Sequence, residues 1–451
     1  MGTRELCNWS GVHRWRPHDY QEPSSEEQVV GLLARARAEG RVVKVVGGGH
    51  SWSDIAATDG VAVRLDRMNR VLELDLERAQ ITVEGGMRLR ELNEHLAVRG
   101  LAMPILGSIS EQSVAGAIAT GTHGSGIGFG NLSAAVRGLR LITAGGELLD
   151  VDGTDPELLA AARLHLGCLG VVTRVTLQCE PAFRLRERVI ILGFDEAVAR
   201  VDELVHAGEH VKLWWLPHTD AVRVSTLDRT TEPLSDPGVV VRAAQHLAGL
   251  MARRPVDLLT AFDSAVNDRV LTGLMALARR SPGLTPRINA AIGGAYFKPG
   301  ERVGRSDRVF NLVMPPVHRE MEYGIALSDT AAALIGLRAL IERERLYINF
   351  VVEARFVAAD DILMSGSYRR TSCQLGAYIG ECASREGYFR GFEALCLGLG
   401  GRPHWGKEFE ADAAALRAAL PGFDRFAAVR RRLDPEGRFA NPFVRRLFAE
   451  A

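Results

Sequence analysis

Two glycine-rich stretches contain residue types that can bind phosphate groups. The first, VVKVVGGGHSWSD at 42–54, is a β-branched run that ends in Gly47, Gly48, Gly49, His50 and Ser51. A strand that ends in glycines lets the backbone approach a ligand and offers successive N–H groups to an anion. The stretch lacks the GxGxxG pattern of a Rossmann site. Taken alone, it fits a tight turn as well as a phosphate cradle, and His50 fits a structural histidine better than a reactive one.

The second glycine-rich stretch, LGSISEQSVAGAIATGTHGSGIGFGN, covers 106–131 and is dominated by small and hydroxylated residues. Such a segment cannot pack a core unaided, and it suits a backbone that wraps a large planar or phosphorylated ligand. The alternative is a long surface loop. The apolar run from Val114 to Ala119 inside the stretch argues against that alternative.

Two further stretches contain charged residues in apolar surroundings. In FVVEARF at 350–356, Glu353 and Arg355 are two apart on a predicted strand, so they project from the same face. Their apolar neighbours favour a buried site over an exposed ion pair. In GRPHWGKEF at 401–409, Gly, Pro and an aromatic residue place Lys407 at a rigid turn. Taken alone, this last fragment indicates only a loop.

The elements around these stretches predict an α+β fold. Apolar spacing predicts a helix at 26–40 that stops at Gly40, and a short strand at 42–46 that enters the first glycine-rich stretch. The sequence from 239 to 294 has long helical apolar faces. The remaining predictions are strands at 309–313, 347–356 and 374–379, and helices at 328–342, 387–397 and 410–432.

Length and composition limit the class of protein. The chain has 451 residues, 55 basic against 55 acidic side chains, and only four lysines. At about 150 residues per domain it should hold two or three domains. The neutral balance gives no support to nucleic-acid binding. No apolar stretch reaches the ~18 residues of a membrane span. The six scattered cysteines show no metal spacing, so we expect reduced thiols, a cytoplasmic protein and no metal site.

The motifs, taken in order, resemble those of the aldonolactone oxidase and alditol oxidase family, which includes L-gulono-1,4-lactone oxidase. That family belongs to the FAD-linked oxidases of the vanillyl-alcohol oxidase type. The resemblance runs nearly end to end and rests on the following segments: NWSG, GGGHS, SVAGAIATGTHGSG, LGCLGVVTRVTL, MPPVHREMEY, VEARF, DDILMSGSYRRTSC, GRPHWGK and LDPEGRFANPFVRRLF.

The resemblance implies a cofactor, FAD, attached covalently through His50. The residues implied to bind FAD are Val46, Gly47, Gly48, Gly49, His50, Ser51, Ser108, Ser113, Gly116, Thr120, Gly121, Thr122, His123 and Val172 (or Val171). The residues implied to be catalytic are Glu353, Arg355 and Lys407. Ser108 and Tyr378, together with that trio, are implied to meet the substrate.

The resemblance also implies an activity. It is the oxidation of a carbinol in a sugar-derived substrate, foremost an aldono-1,4-lactone, with hydride transfer to flavin N5 and oxygen as the acceptor. Arg355 would stabilise negative charge, and Glu353 and Lys407 would bind substrate hydroxyls and help remove the proton. The open alternatives are an alditol or a sugar-like or cyclitol substrate, a cytochrome or quinone as acceptor, and a flavin-binding protein without activity.

The family's architecture implies an FAD-binding domain of two subdomains and a cap domain with an antiparallel sheet flanked by helices. We place the FAD-binding domain at 1–180, the cap at 181–425 with a helical insertion at about 236–294, and a returning C-terminal segment at 426–451. Charged residues interrupt the insertion, so we expect a helical cover over the site and no membrane attachment. Where the alditol oxidase branch presents a histidine and a threonine, this chain has Gly376 and Tyr378.

Overall fold

The computed structural model describes residues 4–235, 258–311, 316–382 and 384–449. Its strands are β1 (Leu6–Cys7), β2 (Arg14–Trp15), β3 (Asp19–Gln21), β4 (Val43–Val45), β5 (Val61–Val63), β6 (Val71–Asp75), β7 (Gln80–Glu84), β8 (Leu101–Ala102), β9 (Val136–Ile142), β10 (Leu148–Val151), β11 (Val171–Gln178), β12 (Glu180–Pro181), β13 (Arg184–Gly193), β14 (His210–Trp215), β15 (Ala221–Thr230), β16 (Gly300–Arg305), β17 (Arg319–Ala326), β18 (Val352–Val357), β19 (Ser372–Ile379) and β20 (Arg402–Pro403).

The helices lie between and after these strands. They are α1 (Glu26–Ala38), α2 (Leu89–Ala97), α3 (Val114–Ala119), α4 (Pro156–Ala162), α5 (Phe194–Ala199), α6 (Val201–Val205), α7 (Leu258–Arg280), α8 (Thr285–Tyr296), α9 (Ser306–Phe310), α10 (Thr330–Arg343), α11 (Arg385–Gly398), α12 (Ala413–Ala419), α13 (Phe423–Leu433) and α14 (Pro442–Leu447).

The N-terminal half contains two small sheets that support the glycine-rich loops. A parallel sheet has the order β3-β5-β4, and an antiparallel sheet has the order β10-β9-β11-β7-β6. Helix α1 forms as predicted, with the Ser25 side chain capping its first turn and Val29 and Leu33 buried. Gly40, at φ +64°, ends it. Strand β4 then leads directly into the first glycine-rich stretch.

The C-terminal half contains an eight-stranded sheet with the order β16-β13-β15-β14-β18-β19-β17-β20, antiparallel throughout. Its central strands alternate strictly between two faces. In β17, Met321 and Tyr323 face the same side as Ala354 of β18, against helices α10 and α11. The charged residues two positions apart on the same strands lie on the opposite, inner face. The predicted α+β class and flanked antiparallel sheet are confirmed.

The described part of the predicted insertion is helical. Residues 236–257 lie outside the described residues, and the rest of the range forms α7 and α8. No helix in the described ranges has the length and apolar character that a membrane span requires. Among the same residues, the six cysteines carry free thiols.

The C-terminal residues return to the N-terminal half. The Val43 N–H donates to the Arg438 carbonyl at 2.8 Å, and the Asn441 side chain donates to the carbonyls of Ile55 at 3.1 Å and Ala57 at 2.8 Å. These contacts fit the returning segment expected at 426–451, and the domain bounds themselves stay a proposal.

Three predicted elements were wrong in type or extent. Val309 and Phe310 belong to helix α9, where Phe310 packs edge-on against His210, while residues 312–315 lie outside the described residues. The strand predicted from 347 starts only at Val352, because the backbone N–H of Ile348 and the side chain of Asn349 bond to side-chain and loop partners instead of a neighbouring strand. The helix predicted at 410–432 is broken at Pro421, which cannot continue it.

Candidate active site

A cavity of about 320 Å³ lies between the glycine-rich loops and the inner face of the large sheet. Its walls come from three parts of the chain: the loops at 50–52 and 107–123, the strands of the sheet, and helices α7 and α8. Ligand sites in proteins are concave, mostly apolar, and carry a few placed polar groups. This cavity has that composition: hydroxyl groups line it from the loops, and charged groups line it from the sheet and from the turn after β20.

A narrower cavity of about 50 Å³ lies within the N-terminal half. Predicted cofactor-binding residues line it, namely Val46, Gly47, Ser113, Gly116 and Val172. A Cβ added to Gly47 would lie 2.6 Å from Ser113 Oγ, so only glycine allows the two segments to approach this closely. The narrow cavity is therefore walled largely by backbone, which suits an extended ligand that carries phosphate groups.

His50 stands where the first glycine-rich stretch reaches the larger cavity. Its ring stacks on Trp9, with the ring centroids 6.2 Å apart. The Nδ1 atom is buried and has no hydrogen-bond partner among the described residues. Burial lowers the pKa of His50 to about 4, and Arg88 contributes to the shift. The ring is thus a neutral imidazole at neutral pH, and the described residues leave one of its nitrogens without a partner.

The second glycine-rich stretch contributes a continuous wall. Ser108, Thr120, Thr122 and His123 line the larger cavity, and Ser51 does so from the first stretch. Gly121 lines an adjoining cavity of about 20 Å³. The structure thus brings together the predicted residues that are far apart in sequence.

Gly48 and Gly49 are the two predicted cofactor residues that do not line these cavities. Gly49 adopts φ +72°, a conformation that favours glycine, and its carbonyl accepts the N–H of Trp9 at 2.7 Å. In the structure, these two residues shape the turn that carries His50 to the cavity wall.

Glu353 and Arg355 form the buried same-face pair that the sequence predicted. Arg355 Nε lies 3.3 Å from Glu353 Oε2, and both side chains line the larger cavity. Each residue is less than a tenth exposed. Buried ions need partners, because an uncompensated buried charge costs several kcal/mol.

Glu322 on β17 is the main partner of Arg355. Arg355 Nη2 lies 2.9 Å from Glu322 Oε1, and His123 Nε2 lies 3.1 Å from the same oxygen. Burial by itself would raise the pKa of Glu322, but Arg355 and His123 lower it well below the ordinary value. Glu322 and Glu353 lie opposite Gly376 in the register of β17, β19 and β18, so Arg355 bridges two carboxylates across a glycine.

Lys407 enters the cavity from the turn after β20. It forms an ion pair with Glu320 Oε2, and its Nζ atom lies 3.9 Å from Glu322 Oε2. Its ammonium group also sits 4.1 Å from the ring centroid of Trp52. Burial raises the pKa of Glu320 to about 7, and the nearby Glu322 adds to the rise while Lys407 opposes it. The predicted Lys407 thus belongs to the same charged network as Glu353 and Arg355.

Glu353 is fully engaged by the protein. Trp214 Nε1 donates to its Oε1 and the Tyr378 hydroxyl donates to its Oε2, each at 2.7 Å. Burial by itself would raise the pKa of Glu353, but Arg355, Lys212 and these two donors lower it. Glu353 is therefore a fixed carboxylate at neutral pH.

Tyr378 and Gly376 depend on each other. A Cβ on Gly376 would lie 2.9 Å from Cε2 of Tyr378, because the tyrosine ring covers the glycine. The ring also stacks on Phe350, with centroids 5.9 Å apart. A histidine cannot occupy position 376 while Tyr378 keeps this rotamer, so the two departures from the alditol oxidase pattern form one local change.

Helices α7 and α8 supply an apolar wall, through Leu271, Met275, Ile292 and Tyr296. The described part of the predicted insertion therefore does border the site, as a cover of helices should.

The sequence reasoning missed several residues of the site: Trp52, Trp214, His318, Glu320, Glu322 and His404. A signal for the two glutamates exists in REMEYGIA, where they are two apart and alternate with apolar residues. That alternation equally fits a strand with one face in water. Only the tertiary structure shows that the charged face of β17 is buried.

The comparison with solved structures agrees on the fold. A cholesterol oxidase from B. sterolicum superimposes with a TM-score of 0.80 over 99% of this chain and 97% of that chain, at 16% sequence identity. Residues 17–152 match the family model of an FAD-binding domain. The fold and the matched domain therefore define an FAD-binding protein.

The remainder of the chain narrows the class. Residues 175–447 match the family model of D-arabinono-1,4-lactone oxidase. An L-gulonolactone oxidase from Bos taurus is 34% identical over 98% of this chain and 97% of that protein. An L-gulono-1,4-lactone dehydrogenase from Mycobacterium tuberculosis (strain ATCC 25618 / H37Rv) is 36% identical over 98% of both chains. The chain belongs to the D-arabinono-1,4-lactone oxidase family, whose members are FAD-linked oxidoreductases of sugar lactones.

The two cavities fit FAD. The narrow one has the backbone-lined walls that a dinucleotide with a pyrophosphate needs, and Gly47 keeps it open. His50, whose Nδ1 has no hydrogen-bond partner among the described residues, lines the larger one, which has room for a flavin ring together with a small substrate. The charged network then lies on the side of the larger cavity where a substrate would stand.

Proposed function

We propose that the chain oxidises a carbinol of an aldono-1,4-lactone to a carbonyl, with Glu353, Arg355 and Lys407 as its catalytic residues. The observation that carries this proposal is the network of buried charges on the inner face of the sheet. This network faces the larger cavity, next to the narrow, glycine-lined cavity of the N-terminal half, which we call the cradle. A neutral polyhydroxylated substrate that becomes transiently charged is what such a network can bind and stabilise.

FAD, when bound, accepts the hydride at N5, and the protein's own part is to bind, orient and handle charge. Arg355, held from two sides by Glu322 and Glu353, points its guanidinium into the cavity in a fixed position. It would stabilise negative charge that develops on the substrate oxygen or on the cofactor. Because its carboxylate partners are in place before the reaction, this stabilisation needs no reorganisation.

The substrate's hydroxyl groups need further partners. We place Ser108 and Tyr378 on the cavity wall as hydroxyl donors and acceptors, with Lys407 as a cationic donor. Glu353 supports this arrangement by holding Tyr378 and Arg355, and any hydrogen bond it makes to substrate must share oxygens that already have donors.

The substrate is tested by anaerobic bleaching of the bound flavin. We expect aldono-1,4-lactones to bleach the flavin near 450 nm faster than alditols or cyclitols of the same carbon number. Bleaching only by cyclitols or other sugar-like compounds would favour the second candidate, for which the Gly376–Tyr378 change is the motivating observation. If no carbinol bleaches the flavin, the chain is a flavin-binding protein without this activity.

Oxygen is the proposed electron acceptor, with hydrogen peroxide as product. The two relatives reported above are named as an oxidase and a dehydrogenase at similar identity, so the family contains both kinds of name. Oxygen uptake with a bleaching lactone, run beside reduction of cytochrome c and of a soluble quinone, tests the acceptor. Oxygen uptake at the rate of turnover supports oxygen as the acceptor. Oxygen uptake below a tenth of the rate of cytochrome c or quinone reduction contradicts it.

We further propose that His50 is bonded covalently to the 8α-methyl group of the flavin. The support is its neutral ring, its free Nδ1 and its position on the cavity wall. Acid precipitation should leave the yellow colour in the pellet for the unaltered protein and release it to the supernatant for His50→Ala. Free flavin from the unaltered protein would contradict the bond.

The remaining proposals concern organisation. We propose the domain bounds 1–180, 181–425 and 426–451 and a cytoplasmic location, which the six free thiols support. Limited proteolysis that cuts near residue 181 or near residue 426, followed by mass spectrometry, tests the bounds. Fractionation of the native host tests the location.

A further inference from the structure

We propose that Glu320, held by Lys407, is the group that accepts the substrate's hydroxyl proton. This inference rests on the proposed function and deepens it. It assigns to Glu320 a step that the sequence motifs had led us to assign to Glu353 and Lys407.

The first argument is the position of the carboxylate. Glu320 lies on the inner face of β17, is 1% exposed and lines the larger cavity. Lys407 occupies its Oε2, while Oε1 is buried and has no hydrogen-bond partner among the residues that the structure describes. A buried polar atom without a partner is rare and costly in a folded protein. At this place in the cavity, a substrate hydroxyl would satisfy it.

The second argument is exclusion among the three carboxylates on this face. Glu353 accepts from Trp214 and Tyr378 and also faces Arg355. Arg355 and His123 both contact Oε1 of Glu322, and its Oε2, which has no hydrogen-bond partner among the described residues, belongs to a side chain that does not line the larger cavity. Hydrogen bonds and cations of this kind favour the ionised form, so both are poor proton acceptors.

The charges around Glu320 come from several elements. Those that face it are Lys407 after β20, Glu322 on the same strand, Arg355 on β18, Tyr378 opposite it on β19, and His318 before β17, whose Nε2 lies 3.9 Å from Oε2. Burial and Glu322 raise the pKa of Glu320 to about 7, against Lys407 and Arg355. A carboxylate with a pKa near the working pH is well matched to proton transfer.

The proposed step balances as follows. The O–H bond of the carbinol breaks, and its proton forms a bond to Oε1 of Glu320. The electron pair left on oxygen becomes the second bond of the carbonyl, as the C–H bond breaks and its hydrogen leaves with both electrons for the flavin. Glu320 becomes a neutral carboxylic acid, Lys407 keeps its charge, and Arg355 stabilises the oxygen while the charge is present.

The sign of the pH dependence follows from the protonation state that the step needs. Glu320 must be ionised to accept a proton, so the rate of flavin reduction should be constant above about pH 8 and should fall tenfold per pH unit below about pH 7. Rapid-mixing measurement of anaerobic flavin reduction isolates this half of the reaction from reoxidation.

The test compares Glu320→Gln with the unaltered holoenzyme in that assay. We expect flavin reduction in Glu320→Gln to be ~10²-fold slower at pH 8, the order expected for loss of general-base catalysis. We also expect the decrease in rate below about pH 7, the acidic limb of the pH profile, to disappear in this variant. Glu320→Asp keeps a carboxylate, so it should keep the acidic limb with a smaller loss of rate. Added formate should restore part of the rate in Glu320→Ala.

A matched control is Glu187→Gln, since Glu187 is a buried carboxylate of the same sheet that pairs with Arg302 at 2.6 Å and does not line the cavity. Its pH profile should match that of the unaltered protein. An acidic limb that persists in Glu320→Gln, with a rate within threefold, would overturn the proposal. Absence of bleaching in the unaltered protein would instead overturn the proposed function.

Discussion

The two walls of the active site, the cradle and the inner face of the large sheet, face ligands of different charge. The cradle in the N-terminal half is lined mainly by glycines and small side chains, with Asp66 and His165 as its titratable residues, and it suits a cofactor that is held largely by backbone groups. On the inner face of the large sheet, Glu320, Glu322, Glu353 and Arg355 form a buried charged network with Lys407 from the turn after β20, and this network lies beside the space for a neutral substrate. Backbone N–H groups bind a permanent anion without adding net charge. A charge that develops only during the reaction is stabilised by groups that are already held in position, here the fixed ions on the sheet.

This difference between the cradle and the sheet indicates which kinds of substitution each wall should tolerate. In the cradle, added side-chain volume should weaken cofactor binding, because the backbone must reach the ligand. On the sheet, loss of an ionised group should lower turnover, because each charged side chain is positioned by an oppositely charged neighbour. The following substitutions separate the two effects.

Arg355→Ala should have the largest effect, because it leaves Glu322 and Glu353 without their shared cation and removes the group that stabilises charge. We expect turnover to fall by about 10²- to 10³-fold while flavin content stays near that of the unaltered protein. Turnover and the flavin-to-protein absorbance ratio check this. The control is Arg229→Ala, because Arg229 lies on β15 of the same sheet but does not line the cavity; it breaks ion pairs to Glu180 and Glu209 and should keep its turnover. Normal turnover in Arg355→Ala would remove this residue from the mechanism.

Gly47→Ala should act on the other wall. The new Cβ would lie 2.6 Å from Ser113 Oγ, and overpacking of this kind costs about 1–3 kcal/mol, which corresponds to roughly 5- to 150-fold weaker cofactor binding. We therefore expect a mostly colourless protein with an unchanged fold, measured by flavin absorbance and circular dichroism. Gly128→Ala adds the same atom where nothing lies within 4 Å and should keep its flavin. A fully flavinated Gly47→Ala protein would contradict the tight cradle.

Tyr378→Phe should have the smallest effect. It removes one donor from Glu353 but leaves Trp214 and Arg355 in place. Loss of a hydrogen bond of about 0.5–1.5 kcal/mol corresponds to a roughly 2- to 12-fold decrease in kcat/KM. The measurement is steady-state kinetics with the lactone that bleaches the flavin fastest. A loss above a hundredfold would give Tyr378 a direct chemical role.

The sequence predicted more of the cradle than of the sheet, and the reason is physical. Gly47, Ser113 and Gly116 belong to short contiguous motifs whose composition is itself unusual, so local sequence is enough to identify them. The network on the sheet is assembled from β17, β18 and the turn after β20, which are distant in sequence. Glu353 and Arg355 were found because they share one strand. Glu320 was missed because its partner, Lys407, lies 87 residues away.

The same contrast explains the errors in secondary structure. Strand β4 and helix α1 form from local periodicity and were predicted within one or two residues. Ile348 and Asn349 lie in a run of residues whose pattern predicts a strand. Their hydrogen-bond partners are His218 and Gly380 instead of a neighbouring strand, so β18 begins later. Such tertiary bonds leave no trace in a single sequence.

The return of the C-terminal residues to strand β4 has a consequence for how the enzyme is made. Val43 precedes the cradle by only a few residues, yet its backbone bonds to Arg438, and Asn441 ties the loop at 55–57. On the ribosome, the cradle is synthesised early but must wait for almost four hundred further residues before these contacts can form. Cofactor uptake should therefore follow synthesis of residues 438–441, when the strands of the large sheet have already been made.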